Sequence, residues 1–223
     1  MKVIEINAIY GEKSTGLIVR DIGRMVKESG NEIRFVYQFG ECELRSEGYR
    51  VGSPLDWKIH ALYTRIDGRQ GWASKQATHR LLSYLKIEKP DVVHLHNLHA
   101  NYINLPKLLK HLAKNDIATV ITLHDCWFFT GKCCHFISSG CERWKNGCGK
   151  CPKKNEAPKS LFFDRSSQVA KAKAQLFSEI SNLTVVGCSK WIAGLARESY
   201  VFAGCQVVQI YNGVDTNVFA PLD

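Results

Sequence analysis

Proline and glycine are scarce, at 6 and 17 of 223 residues, which excludes collagen-like and low-complexity classes. No apolar run approaches the roughly 18 residues of a membrane span. The amino-terminal stretch Lys2-Val3-Ile4-Glu5-Ile6 sets an acid among its apolar residues and does not read as a signal peptide. These absences predict a cytoplasmic protein. No internal repeat is found. What remains is an ordinary globular composition, 45% hydrophobic and 23% charged. The length suits one large domain or two small ones, and either buries a sizeable core.

Acidic residues are the charge in short supply: 21 Asp and Glu stand against 30 Lys and Arg, a net +9. Such a balance favours polyanionic partners. The excess is uneven, with nine basic residues and only Glu156 and Asp164 between Arg143 and Lys173. A solvated face explains that run as well as an anionic partner does. Cysteine is abundant instead, and six of the nine fall between Cys126 and Cys151. Clustering of this kind points to a local site more than to a scattered disulfide framework.

Short apolar strands alternate with amphipathic helices. Residues 2–8 read as a buried strand. Ser14 or Thr15 is the expected cap of a helix with Ile18, Ile22, Met25 and Val26 at the helical period, stopped by Gly30. Strands are expected over 32–39 and, more weakly, 49–51. Helices follow over 55–66 and 73–86, the second with a stripe of Ala77, Leu81, Leu82 and Leu85. A strand over 91–96 follows Pro90. Asn104 is the expected cap of a helix carrying Leu105, Leu108, Leu109 and Leu112, with Pro106 tolerated in its first turn. Residues 118–123 form a β-branched strand, and 125–158 are irregular. Asp164 is expected to cap a helix bearing Val169, Ala172, Leu176 and Ile180. A strand over 183–186, a helix capped by Ser189 and a strand over 207–211 complete the pattern, and 212–223 read as a turn entering a linker. Fully apolar strands alternating with helices predict an α/β fold, a parallel sheet with helices on both faces.

In such a sheet ligands bind outside the carboxyl ends of the strands, where this sequence places its polar residues. After the first strand comes Tyr10-Gly11-Glu12-Lys13-Ser14-Thr15-Gly16. It is no Walker A loop, because Ile6 stands where the first glycine belongs, and it is not G-x-G-x-x-G. It reads either as a plain helix start or as backbone N–H groups open to an anion. His94, His96, Asn97, His99 and Tyr102 follow the strand at 91–96. They fit a polar cleft wall, hydrogen-bonded core histidines or, lacking an acidic ligand among them, less readily a metal site. His124-Asp125 ends the strand at 118–123. An imidazole there, near its ordinary pKa of about 6.5, can contact a sugar or phosphate and share a proton; a structural turn is the other reading.

The cysteine segment runs through Cys133, Cys134, Cys141, Cys148 and Cys151. The two-residue gap between Cys148 and Cys151 lets both sulfurs reach one tetrahedral ion. Cys141 and either Cys133 or Cys134 complete four thiolates, so a structural zinc on Cys133, Cys141, Cys148 and Cys151 is expected. A long irregular excursion needs such a brace. Disulfides and free thiols remain alternatives.

The chain resembles the amino-terminal half of a bacterial family 4 glycosyltransferase of the two-Rossmann-domain B fold. The resemblance rests on His94-Leu95-His96-Asn97-Leu98-His99, Thr122-Leu123-His124-Asp125-Cys126-Trp127 and Phe129-Thr130-Gly131-Lys132-Cys133. It continues through Gly140-Cys141-Glu142-Arg143-Trp144, Gly147-Cys148-Gly149-Lys150-Cys151-Pro152, Ser189-Lys190-Trp191 and Asn212-Gly213-Val214-Asp215. It implies a Rossmann-like domain over 1–211, with a cysteine-rich excursion at 126–158, and the start of an interdomain linker at 212–223. It further implies the acceptor-binding half of a retaining, hexosyltransferase-type enzyme of surface polysaccharide or glycan synthesis, using a nucleotide-sugar donor. Gly16, His96, Asn97, His99, Asp125 and Lys190 would bind substrate, and His124 would lie nearest the reacting sugar.

Two departures qualify the pattern. Ser14-Thr15-Gly16 replaces the paired glycines of the first loop, and no two glutamates have the seven-residue gap of the donor-binding domain. The donor domain is therefore expected to be missing and residues 1–223 to be inactive alone. Lipid-linked acceptors and the basic run together suggest weak peripheral contact with the inner face of a membrane, and no nucleic acid is expected. The rivals are a basic zinc-binding nucleic-acid module and a sugar-nucleotide epimerase of the same fold.

Overall fold

The computed structural model describes residues 1–214 together with Thr216 and Phe219. The expected linker thus falls largely outside the described residues. Seven strands form one sheet: β1 (Lys2–Ile6), β3 (Glu32–Tyr37), β5 (Gly48–Arg50), β6 (Val92–Leu95), β7 (Ala118–Leu123), β8 (Leu183–Gly187) and β9 (Gln206–Gln209). Their order is β5-β3-β1-β6-β7-β8-β9, and every neighbouring pair is parallel. A short parallel pair, β2 (Ile9–Tyr10) with β4 (Phe39–Gly40), extends beyond the ends of β1 and β3. The order reverses direction beside β1, so the carboxyl edge of β1 and β6 is the switch point at which open α/β sheets bind ligands.

The helices are α1 (Lys13–Glu28), α2 (Pro54–Asp67), α3 (Lys75–Glu88), α4 (Leu105–Lys114), α5 (Ser166–Ser178) and α6 (Lys190–Glu198). Alternation along β1 divides the core. Ile4 and Ile6 join Leu81, Leu85, Leu108 and Leu112 in the larger cluster, whereas Val3 packs with Val19, Ile33 and Phe35 under α1. Helices therefore cover both faces, as the apolar strands require.

Most elements lie where the sequence puts them, α4 among them: Asn104 accepts from the Lys107 N–H, and Leu105, Leu108, Leu109 and Leu112 are fully buried. Three local expectations need correction. Helix α1 starts after Glu12 without any side-chain cap, so neither Ser14 nor Thr15 serves. Its buried residues are Gly16, Val19 and Gly23, while Met25 is 63% exposed. The cause is Phe35: a Cβ on Gly23 would lie 2.2 Å from its ring, so the helix approaches β3 through its smallest residues. At α5 the cap residue is Arg165. Asp164, one position earlier, still accepts from Ser166 N and Oγ, at 3.0 and 2.6 Å.

Residues between β7 and α5 contain only two short 3-10 turns, Ile137–Ser139 and Arg143–Asn146. The excursion is nevertheless well packed, with Phe136 stacked on Trp144 and Phe129 edge-on to both in its interior. No helix among the described residues is long and apolar enough to cross a membrane.

Candidate active site

Register brings the site together. Glu5 on β1 lies opposite His94 on β6, and His96 follows one step beyond the end of β6. Glu5 and His96 have no solvent exposure. Glu5 Oε1 is 3.0 Å from His94 Nδ1, and Glu5 Oε2 is 2.6 Å from His96 Nε2. His94 Nε2 is 2.8 Å from Thr122 Oγ1, and His96 Nδ1 is 2.9 Å from Nε2 of His124, the residue that follows β7. The result is a line of hydrogen bonds, Glu5–His96–His124, running from the sheet interior to its carboxyl edge.

The protonation states follow from these neighbours. Burial works to raise the Glu5 carboxyl, but His94 and His96 outweigh it and hold it down to about 2. Burial, with His94 beside it, lowers His96. Burial and then His96 lower His124 to about 4, which corrects the expectation of an imidazole near its ordinary value. At neutral pH Glu5 is thus ionised and both His96 and His124 are neutral. A carboxylate only accepts, so His96 carries its proton on Nε2. His96 Nδ1 is then bare and must accept from His124 Nε2–H. His124 Nδ1 is left as a lone pair, and among the described residues it makes no protein hydrogen bond.

Glu5 went unread as a site residue, although an acid inside an apolar strand was visible in the sequence. It supplies the carboxylate that the histidines appeared to lack. Its two oxygens are taken by direct hydrogen bonds, which makes the Glu5, His94 and His96 group a closed polar cluster. Asn7, 1% exposed, was also missed. Its Oδ1 accepts from the Asn97 N–H at 3.1 Å and its Nδ2 donates to the Ile9 carbonyl at 2.8 Å, tying the first loop to the loop after β6.

The other expected residues surround this line. His99 Nε2 stands 2.8 Å from Asp125 Oδ2, a close contact without hydrogen-bond alignment. Burial would raise the Asp125 carboxyl, but His99 and the Trp127 N–H leave it lowered. Cys134 approaches His99 and Asp125. Gly16 is buried in the first turn of α1, where an added Cβ would sit 3.1 Å from the Ile9 carbonyl; its lack of a side chain closes the loop. Asn97 is half-buried, and Lys190 is exposed at the first position of α6, just past β8. The structure thus clusters His96, His124, Asn97, His99 and Asp125 after β6 and β7, with Gly16 and Lys190 at the flanking helix starts.

The four cysteines expected to bind metal line one small cavity, and Cys134 is not among its walls. All nine cysteines are unbridged.

A parallel sheet with helices on both faces and polar residues gathered at its carboxyl edge is a Rossmann-like, ligand-binding architecture. The chain belongs to Glycosyltransferase Family 4, whose sequence pattern matches residues 16–218. It is 28% identical over 232 aligned positions to the "Putative colanic acid biosynthesis glycosyl transferase WcaC" of Escherichia coli (strain K12), an alignment covering 96% of this chain and 55% of that protein. Its fold is similar to that of sucrose-phosphate synthase from Thermosynechococcus elongatus, with a TM-score of 0.59 and 10% identity over 99% of this chain and 50% of that one. The chain therefore spans about half the length of these relatives.

Proposed function

We propose that the chain forms the acceptor-side half of a retaining, hexosyltransferase-type glycosyltransferase, acting with a nucleotide-sugar donor on a glycan or lipid-linked acceptor in surface polysaccharide synthesis. The observation that carries the reading is the Glu5–His96–His124 line ending at the sheet's carboxyl edge. With Nε2–H committed to His96, His124 meets the cleft as an acceptor through Nδ1. It takes the O–H of a donor-sugar hydroxyl and holds the ring in place as positive charge develops at the anomeric carbon. Contacts that strengthen as charge develops raise the rate rather than the affinity. Asp125 and His99 bind acceptor hydroxyls beside it. The start of α1 at Gly16 and the Lys190 ammonium supply positive potential for phosphate.

A lipid-linked acceptor is favoured by a second surface. Leu55, Ile59, Leu62 and Ile66 follow helical spacing along α2 and are 43–65% exposed. Phe162, 66% exposed, belongs to the segment whose Leu161 N–H bonds the Arg65 carbonyl at 2.7 Å. Exposed Lys58, Arg65 and Lys159 lie in the same segments. Apolar side chains ringed by lysine and arginine suit peripheral attachment to an anionic membrane face.

Family membership favours sugar transfer over a zinc-binding nucleic-acid module. The test is transfer from a panel of UDP- and GDP-hexoses to a lipid-linked glycan. Residues 1–223 alone should transfer poorly, because donor and acceptor must be held together in one cleft. Joined to a family donor domain they should transfer with retention. Inversion, or interconversion of the nucleotide sugar without acceptor, would replace this reading with another transferase mechanism or with the epimerase.

A further inference from the structure

Among the described residues, two groups of three side chains bring ligand atoms within 4.8 Å of one another. The first, Glu5, His94 and His96, is spent: every carboxylate oxygen and ring nitrogen in it already has a partner in Thr122, His124 or the group itself. The second is His99, Asp125 and Cys134. The sulfurs of Cys133, Cys141, Cys148 and Cys151 share a cavity but form no such group, which leaves the zinc expected on those four without a gathered ligand set. In the second group local bonds hold each member in place. Asp125 Oδ1 accepts from the Trp127 N–H at 2.8 Å, leaving Oδ2 on the side of His99. The Cys126 N–H donates to the Cys134 carbonyl at 2.8 Å and so seats Cys134 beside Asp125. The Trp127 ring packs against the His99 imidazole, their centres 5.9 Å apart.

The second observation is an orphaned atom. His99 Nε2 is buried and has no hydrogen-bond partner among the described residues, although Asp125 Oδ2 stands only 2.8 Å away. A buried nitrogen left unpaired calls for an occupant. The misalignment is what two ligands of one ion show, because each aims at the ion and not at its neighbour. Two ligand atoms about 2.0 Å from an ion stand roughly 3 Å apart, close to this spacing.

We propose that His99 Nε2, Asp125 Oδ2 and Cys134 Sγ hold one divalent cation of the zinc type, with a fourth position open to the cleft. A nitrogen, an oxygen and a sulfur together suit zinc, whereas magnesium and calcium take oxygen ligands. The Cys134 thiol proton passes to solvent as the sulfur–metal bond forms. The resulting thiolate and the Asp125 carboxylate balance the two charges of the ion. The side chains of His99 and Asp125 are 25% and 22% exposed, so water, a small anion or a hydroxyl group reaches the fourth position. An ion there polarises a hydroxyl oxygen bound to it. Its use on an acceptor hydroxyl rests on the sugar-transfer reading; the binding of the cation does not.

The experiment is titration of the metal-stripped chain with cobalt(II), followed by competition with zinc. The bound cobalt should give the charge-transfer band of a single thiolate, with visible bands that shift when azide enters the fourth position, and zinc should erase both. Cys134→Ser should abolish the charge-transfer band. His99→Gln and Asp125→Asn should each weaken binding by at least the roughly 10–100-fold that loss of an outer partner costs. Cys133→Ser and Cys148→Ser should leave the spectrum as it is. Should Cys134→Ser misfold, peptide-resolved alkylation of the wild-type chain decides: zinc should slow labelling of Cys134 and not that of Cys141 or Cys148. Absence of cobalt binding, a charge-transfer band that survives Cys134→Ser, bands indifferent to azide, or equal protection of every cysteine would overturn the site. None of these readouts requires sugar transfer, so failure of the site and failure of the transferase reading are told apart.

Discussion

Glu5 and His96, neither of them touched by solvent, are joined by a 2.6 Å hydrogen bond between Oε2 and Nε2. That bond determines which nitrogen of His124 is free, since His96 can only accept on Nδ1. With residues 1–223 joined to a donor domain, His124→Ala should lower kcat by about 10²–10⁴-fold, as expected for loss of a polar contact made in the transition state. Glu5→Gln should act through the tautomers. An amide N–H facing His96 Nε2 moves the His96 proton to Nδ1 and forces His124 to carry its own on Nδ1, as a donor. Nitrogen-15 NMR of the imidazoles should show that exchange, with kcat reduced and KM little changed. An unaltered tautomer pattern with full activity would remove Glu5 from the site.

Acid sensitivity should set in early. Burial lowers His60 to about 4; its Nδ1 is 2.7 Å from Ser74 Oγ, and its Nε2 accepts from the Gly71 N–H at 3.1 Å. The unfolded value is about 6.5. Between those two values the unfolded chain binds a proton that the folded chain refuses, so stability is complete above pH 6.5 and falls as pH drops toward 4. Below 4 both states are protonated and the loss stops growing. For His60 it reaches on the order of 3 kcal/mol. Urea unfolding at pH 7 and pH 5 measures it, and His60→Gln should flatten the dependence. His124, lowered for the same reason, contributes with the same sign.

Gly131→Ala should destabilise the excursion. The new Cβ would fall 2.0 Å from the Ser166 carbonyl oxygen and 2.9 Å from Ser166 Cα, both backbone atoms unable to turn aside. Overpacking of this kind costs about 1–3 kcal/mol, read as a lower Tm. Gly140→Ala is the control, because nothing stands within 4 Å of its Cβ position, although its φ of 56° adds modest strain. Equal Tm changes for the two would refute the packing argument.

Lipid attachment should follow α2 more than the basic run. Lys153 and Lys173, two of the run's nine basic residues, are buried, and Lys145 pairs with Glu142 and Glu198. Sedimentation with anionic vesicles should exceed that with neutral ones and fall with salt, each surface lysine or arginine adding about 1 kcal/mol at most. Leu62→Ser with Ile66→Ser should remove binding that persists at high salt. Equal recovery with neutral and anionic vesicles would leave the basic residues a solvated face.

The parallel sheet was legible because apolar strands and helical stripes have local periods. Capping residues such as Asn104 and Ser189 sit next to the helices they start. His96, His124 and the cysteines were legible as chemistry because strand ends and short spacings are local too. Three relationships depended instead on residues far apart in the chain. Glu5 meets His96 across 91 positions only through the register of β1 with β6, which no one-dimensional pattern encodes. The buried face of α1 was set by the bulk of Phe35 against Gly23 rather than by its own apolar residues. Cys133 lines the small cavity with Cys141, Cys148 and Cys151, whereas its neighbour Cys134 stands with His99 and Asp125, a separation set by packing across the excursion. Composition and spacing determined the class of fold and the groups available for chemistry. Tertiary packing alone decided their partners, protonation and direction, because burial and register act between residues that sequence separates.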